Sequence, residues 1–259
     1  MKISIVTACY NSVATISDTL RTIQMQTHQD VEHIIIDGGS TDGTLEILEK
    51  NKAHIAHLTS ERDNGLYDAM NRGISKATGD IIGLLNSDDM LAHKDVLSTI
   101  ANKLADPRVD ACYGDLVYVQ QHNIDKVVRY WKSCPYRTEL FGKGWMPAHP
   151  TFYVRKEVHD KYSMLFNLDY KSAADYEVVL RLLFTHKINV AYIPEIMVKM
   201  RLGGTSNQSI KNIIDQNKSI MRALNSHNYE YSSFKMFCNK LLDRVQQYRK
   251  VGYNQEQSF

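Results

Sequence analysis

Cysteine is scarce in this chain of 259 residues, and no two cysteines form a C-x-x-C pair. Cys9, Cys112, Cys134 and Cys238 are scattered, which argues against a zinc ribbon or a disulfide framework and fits a reducing compartment. No apolar run approaches the roughly 20 residues of a membrane-spanning helix. A strand is expected from Ile3, so no secretory leader is expected ahead of it. Net charge is nearly absent: 31 Lys and Arg against 29 Asp and Glu leave +2, which points to no nucleic-acid partner. Internal repeats, low-complexity tracts and flexible linkers are missing. So are a Walker loop and a G-x-G-x-x-G turn, so a glycine-rich mononucleotide phosphate cradle is not expected.

What is present is a regular alternation of elements. Ile3–Ala8 reads as a buried strand, and Asn11 and Ser12 offer N-caps to a helix carrying Val13, Ile16, Leu20 and Ile23. Strands are expected at Val31–Asp37, Ile55–Ser60 and Asp80–Leu85. Helices are expected at Thr44–Lys50, Leu66–Ala77 and Asp95–Ala105. This rhythm implies a doubly wound parallel sheet over residues 1–105. The rhythm then changes. Val109–Val119 and Lys126–Trp131 read as strands with no helix between them, and Gly142–Pro150 as a loop. Thr151–Val154 follows as a strand and Ala174–His186 as a helix. Val190–Ile193 and Ile196–Met200 read as two short strands, and Ser209–Ser226 and Ser232–Lys250 as closing helices.

Carboxylates gather at the strand ends. The run Asp80–Leu85 leads through Asn86 and Ser87 into the adjacent pair Asp88 and Asp89. Like charges side by side repel and resist burial, and a hard divalent cation such as Mg²⁺ or Mn²⁺ resolves that conflict. The alternative is a solvated turn in which Asp89 or Ser87 caps the next helix. Asp37 ends the second strand ahead of the turn Gly38–Gly43, where Asp42 or Thr41 is a candidate cap. Asp63 and Asp68 follow the third strand, and Asp68, early in a helix, is also explained by the helix dipole. In an open α/β sheet these carboxyl ends converge on one crevice.

The segments SIVTACYN, IIIDGGSTDGT, ERDNGLYDAMNRGISKATGD and LLNSDD, in this order, resemble the nucleotide-sugar half of glycosyltransferase family 2 enzymes. The resemblance continues more weakly through HPTFYVRKEV, SAADYEVVLRL and GGTS. It implies the GT-A fold: α/β, a Rossmann-like, mostly parallel sheet flanked by helices, here with a C-terminal helical extension. The implied division is residues 1–206 for the transferase domain (1–105 nucleotide-sugar half, 106–206 acceptor half) and 207–259 for the extension. The resemblance carries donor-base hydrogen bonding to Asp37, with Thr7 and Tyr10 bordering the base and Asp63 reaching the nucleotide. Asn86 and Ser87 fall on the donor-contacting stretch, although relatives often have Asp where Asn86 stands. Asp88 corresponds to the metal-binding acid, with Asp89 beside it, and Mn²⁺ or Mg²⁺ is the implied cofactor.

Asp175 corresponds to the catalytic base, although its place at a helix start also suits a cap, as does that of Glu177. Trp145 and His149 lie in a loop resembling the acceptor side. Trp145 either stacks on a sugar or packs, and His149 either contacts acceptor or phosphate or is a surface histidine. Gly203–Ser206 is a lid or a cap. In the last helix Phe234, Phe237, Leu241, Leu242 and Val245 form a stripe flanked by Lys235, Lys240, Arg244, Arg249 and Lys250. It either lies on an anionic membrane surface or packs on the domain or in a homo-dimer.

The expected activity is inverting, metal-dependent transfer from a UDP-sugar to a glycan or lipid-linked glycan in bacterial surface polysaccharide (O-antigen-type) assembly. The expected location is the cytoplasm or the inner face of the membrane. The family's processive synthases carry Q-x-x-R-W and membrane spans, and this chain has neither, so single-residue addition is expected. The rivals are a nucleotidyltransferase, whose glycine-rich basic loop is missing from TACYNSVAT, and an inactive glycan- or nucleotide-binding module.

Overall fold

The computed structural model describes residues 1–203 and 210–254. Of the expected Gly203–Ser206 lid, Gly204, Thr205 and Ser206 lie outside the described residues. The first half alternates β1 (Ile3–Cys9), α1 (Ile16–Gln24), β2 (Val31–Asp37), α2 (Thr44–Lys50), β3 (His57–Ser60), α3 (Leu66–Ile74), β4 (Ile81–Leu84), β5 (Met90–Leu91) and α4 (Val96–Lys103). The second half adds β6 (Ala111–Val119), β7 (Val127–Trp131), β8 (Tyr153–Arg155), α5 (Lys156–Tyr162), α6 (Ala174–Leu180), β9 (Val190–Arg201), α7 (Ile210–Ser226) and α8 (Ser233–Asn254).

Among the described residues these strands make one nine-stranded sheet in the order β3-β2-β1-β4-β8-β6-β9-β5, with β7 paired to β6. β1, β2, β3 and β4 are parallel to their neighbours in that group. β8 then runs antiparallel to both β4 and β6, which joins the second half to the first. β1 is buried along its whole length, as expected of a parallel strand covered on both faces. Gly73 brings α3 onto it, since a Cβ there would lie 2.3 Å from Val6 Cγ1. A methyl at that point overpacks the interface by about 1–3 kcal/mol.

Several expectations change. Asn11 and Ser12 do not cap α1, which begins at Ile16 with no side-chain cap bond. Asn11 sits at φ 49, and its Oδ1 instead accepts the Thr41 amide at 2.9 Å. The two short strands expected around Pro194 are one strand, β9. Its register against β6 shifts between Tyr113 and Leu116, and that bulge accommodates a residue with no N–H to donate. The expected helix from Ala174 widens into a π-helical stretch over Arg181–Thr185. There the Arg181 guanidinium donates to the Tyr162 carbonyl at 3.2 Å, to the Leu165 carbonyl at 2.7 Å and to the Ser163 carbonyl. The Gly142–Pro150 loop is framed by 3₁₀ turns at Thr138–Lys143 and His149–Thr151.

α7 is docked through buried Ile220, Ala223 and Leu224. α8 packs through Met236, which is 3% exposed, and Gln247 accepts from Arg129 at 2.7 Å. Its apolar stripe faces away: Phe234 is 79% exposed, and Phe237, Leu241 and Leu242 are each 59% exposed. Packing of that stripe on its own domain is therefore not what the helix does; the opposite face is the docked one. Arg249 and Lys250 lie outside the residues whose side chains are described.

Candidate active site

The parallel strands β1, β2 and β4 end on one edge, and their loops are stitched together there. The Asn11 amide donates to Ser40 Oγ at 2.7 Å, the Ser12 amide to Thr44 Oγ1 at 2.8 Å, and the Val13 amide to Asp42 Oδ2 at 3.0 Å. Asp42 Oδ1 also accepts the Thr44 amide at 3.0 Å, so it ties two loops, while the N-cap position of α2 is Gly43, with no side-chain cap bond. Ser87 joins the same seam, its hydroxyl 2.8 Å from that of Ser12.

Asp37 is fully buried. Its carboxylate accepts from the Gly39 amide (3.2 Å), the Ser40 amide (3.0 Å), the Ser60 hydroxyl (2.6 Å), the Ser40 hydroxyl and, more distantly, the Cys9 thiol (3.5 Å). Burial raises its pKa, but these donors outweigh burial and hold it below the usual carboxylate range. In this geometry the Asp37 carboxylate organises its own loop. Asp63 is the acid next to that loop, and a Cβ on Gly38 would lie 2.6 Å from Asp63 Oδ2 and 3.4 Å from the Tyr10 ring. Asp63 Oδ1 is held by the Gly65 amide at 2.8 Å. Tyr10 is 63% exposed, so its ring is available as a wall. Thr7 does not border this pocket. β1 runs on to Cys9, and the buried Thr7 hydroxyl pairs with His33 Nε2 at 3.0 Å inside the sheet.

Beyond β4, Asp89 is fully buried and is not a helix cap. Asn86 Nδ2 donates to its Oδ2 at 2.9 Å, while Asn86 Oδ1 and Asp89 Oδ1 have no hydrogen-bond partner. Burial and then the Asp88 charge push Asp89 well above the usual carboxylate range, and burial also raises Asp88. Two orphaned oxygens beside a second carboxylate form a hard, electron-rich corner that suits Mg²⁺ or Mn²⁺. Among the described residues no three His, Cys, Asp or Glu side chains gather as a complete cage. Sequence reasoning missed Arg201, the last residue of β9. It is 6% exposed, donates to the Asp88 carbonyl at 2.9 Å and pairs with Asp18 of α1. Its position before GGTS was the available signal.

Across the crevice, His149 is not a surface histidine. Its Nδ1 lies 3.6 Å from Asp175 Oδ2. Burial lowers its pKa, opposed by the charges of Asp175 and Asp88, so His149 senses both walls. With Leu84, Phe152, Met164, Phe166 and Asp175 it lines a small cavity. Tyr67, also unnoticed in the sequence, is raised well above the ordinary phenol range by burial and then by the Asp175 charge beside it. Asp175 Oδ1 accepts the Tyr176 amide at 2.8 Å; it starts α6 without capping it. Trp145 packs among Tyr113, Tyr136 and Phe141, with its indole N–H buried and unpartnered. Two acids have structural tasks. Asp68 accepts the Asn64 amide at 3.0 Å and pairs with Arg72 at 3.1 Å. Glu177 pairs with Arg181 and His227, each at 3.0 Å. A larger open groove of about 630 Å³ lies along α7, lined by Lys218, Met221, Arg222, Asn225, Ser226 and Tyr231, and none of the strand-end acids reaches it.

Comparison with known proteins places this arrangement. The profile described as Glycosyl transferase family 2 matches residues 4–163. An uncharacterised glycosyltransferase of Mycobacterium tuberculosis is 30% identical over 185 residues, covering 69% of this chain and 68% of the relative. Among solved structures, S. aureus TarS 1-349 in complex with UDP-GlcNAc is similar in fold, with a TM-score of 0.67 at 17% identity over 91% of this chain and 69% of that one. The mannosyltransferase PcManGT from Pyrobaculum calidifontis, in complex with GDP-Man and Mn²⁺, gives 0.64 at 16% identity over 100% of this chain and 76% of that one. The family profile over residues 4–163, the relative at 30% identity and the mixed α/β sheet of GT-A type make the chain a glycosyltransferase that belongs to glycosyl transferase family 2.

Proposed function

We propose that this enzyme moves one hexosyl or N-acetylhexosaminyl unit from a UDP-sugar to a hydroxyl of a glycan or lipid-linked glycan, with inversion, during surface polysaccharide assembly. The observation that carries the reading is the pairing of opposite walls: Asp88 after β4 and Asp175 at the start of α6, both felt by the half-buried His149. Residues 1–105 hold the donor and residues 106–206 the acceptor. Asp63 accepts the imide N–H of uracil, Tyr10 covers the ring, and Asp37 keeps the Gly38–Gly43 turn in shape. Asp88 holds the cation, with Asp89 and Asn86 completing its surroundings. The cation, when bound, supplies Lewis-acid stabilisation to the departing diphosphate. Asp175 takes the acceptor proton on the face opposite the leaving group, with His149 and Tyr67 fixing its carboxylate.

The nucleotide-sugars and Mn²⁺ named in the two similar structures support this reading. No helix of the described residues is long and apolar enough to cross a membrane. All four cysteines are free, which supports a cytoplasmic site of action. The exposed stripe of α8 supports contact with the inner membrane face or a second copy. The test is UDP release from a panel of UDP-sugars, with and without acceptor, in Mn²⁺, Mg²⁺ or excess chelator. Acceptor-stimulated release that Asp88→Asn abolishes, together with lost Mn²⁺ binding by that variant in paramagnetic resonance, is expected. Pyrophosphate release from UTP and a sugar phosphate favours the nucleotidyltransferase instead. Binding without turnover favours the inactive module.

A further inference from the structure

The acceptor wall contains a cation that the reading above does not use. Lys240 comes from α8, in the C-terminal extension. Gly144 lets the helix approach: it sits at φ 76, and a Cβ there would lie 2.5 Å from Lys240 Cγ and 2.6 Å from Cδ. The lysine stem thus lies across the loop that carries Trp145 and His149. Its Nζ ends 2.7 Å from Asn217 Oδ1 on α7, a neutral partner. No ion pair to Lys240 occurs among the described residues. Asp175 acts on it from beyond contact distance, and Arg244, one turn along α8, adds a like charge. Burial, then Arg244, push its pKa down to about 8, with Asp175 opposing. A half-buried ammonium with only an amide for a partner lacks a counter-charge, and Gly144 seats its stem on the loop that carries His149, whose Nδ1 lies 3.6 Å from Asp175 Oδ2.

We propose that Lys240 binds an oxyanion on the acceptor, a phosphate or a carboxylate, and so sets the acceptor hydroxyl against Asp175. This rests on Asp175 facing the acceptor. It makes the substrate class an anionic glycan or glycan precursor, and it makes the C-terminal extension part of the acceptor site. The ammonium gives the oxyanion a charge-assisted hydrogen bond, and the oxyanion gives the ammonium its missing counter-charge.

The test is calorimetry on the full chain with UDP and Mn²⁺ present. Glycerol 3-phosphate and glucuronate serve as phosphate and carboxylate probes, with glycerol and glucose as their neutral counterparts. One or both anionic probes should bind and the neutral ones should not. Lys240→Met, which keeps the apolar stem, should weaken that binding roughly ten- to hundredfold, as loss of a hydrogen bond to a charged group does. Lys240→Arg should retain most of it, and UDP affinity should stay within about twofold in both variants. Which probe binds separates phosphate from carboxylate. Absence of anion binding by the wild type, or equal binding in wild type and Lys240→Met, overturns the proposal. So does a loss of UDP affinity in place of probe affinity, which returns Lys240 to the donor. Failure of the transferase reading itself is distinct, because the chain then does not bind UDP at all. Unfolding midpoints of both variants, checked by circular dichroism, guard against a structural loss.

Discussion

Replacing Asp37 and Asp63 separately by Asn should divide stability from donor binding. Asp37 is fully buried, and its carboxylate takes two hydroxyls, two amides and a thiol. An amide in its place turns one acceptor oxygen into a donor facing other donors. Each hydrogen bond to a charged group is worth about 1.5–3 kcal/mol, and bonds sharing one carboxylate are not additive. Loss of the oxygen that serves Gly39, Ser40 and Ser60 therefore costs about 3 kcal/mol. For a chain of this size that lowers the melting midpoint by about 6–12 °C. Asp63 is half-buried, and its structural bond is the one from the Gly65 amide, which the Asn oxygen can keep. Asp63→Asn should leave the midpoint within about 2 °C. It should weaken UDP binding roughly ten- to hundredfold, because the imide N–H loses a charged acceptor. It should also narrow the gap between UDP and CDP, whose base lacks that N–H. Scanning calorimetry and UDP and CDP titrations read both effects. An unchanged midpoint in Asp37→Asn with lost UDP affinity, and a silent Asp63→Asn, would refute the reasoning and return the base contact to Asp37.

Asp175→Asn should lower turnover roughly 10²–10⁴-fold with donor and metal affinity unchanged; a β-linked product from a UDP-α-sugar is the companion result, and donor affinity lost with turnover preserved would make Asp175 a binding residue. Burial pushes His33 down to about 4 from 6.5, so between those values the unfolded chain takes up a proton that the folded chain refuses. Its contribution is complete above pH 6.5 and is lost as pH falls toward 4, by up to about 3 kcal/mol. Denaturant midpoints at pH 7.5 and 4.5 check this, and His33→Gln should flatten the slope between them. The α8 stripe should carry the chain to anionic liposomes in flotation, and Phe237→Ser with Leu241→Ser should release it. A concentration-dependent dimer in ultracentrifugation, with no flotation, would assign that face to a second copy.

The periodicity of apolar residues fixed the alternation through residue 105, because parallel strands buried on both faces read as continuous apolar runs and amphipathic helices as 3.6-residue stripes. It placed α2 at Thr44–Lys50 without error, since a glycine turn and a run of good helix formers bound that segment. The clustering of Asp37, Asp63, Asp88 and Asp89 at strand ends was equally legible, because sheet topology sends all those ends to one edge. The roles within the cluster were not. Asp37 and Asp63 are both acids following strands, and only the tertiary structure gives one of them a full set of donors and leaves the other beside Tyr10. Thr7 reads as a strand end until the pairing of β1 with β2 carries the strand two residues further. Nothing local told Arg201, Tyr67 or Lys240 which group each would meet. Each comes from an element more than a hundred residues from its partner in the chain or, for Lys240, from the closing helix. Local sequence determines which face of an element is apolar, and it carries no information on which distant side chain will meet a carboxylate. That is decided by long-range packing, here by the antiparallel β8 that joins the two halves and by Gly144, which admits α8 to the acceptor wall.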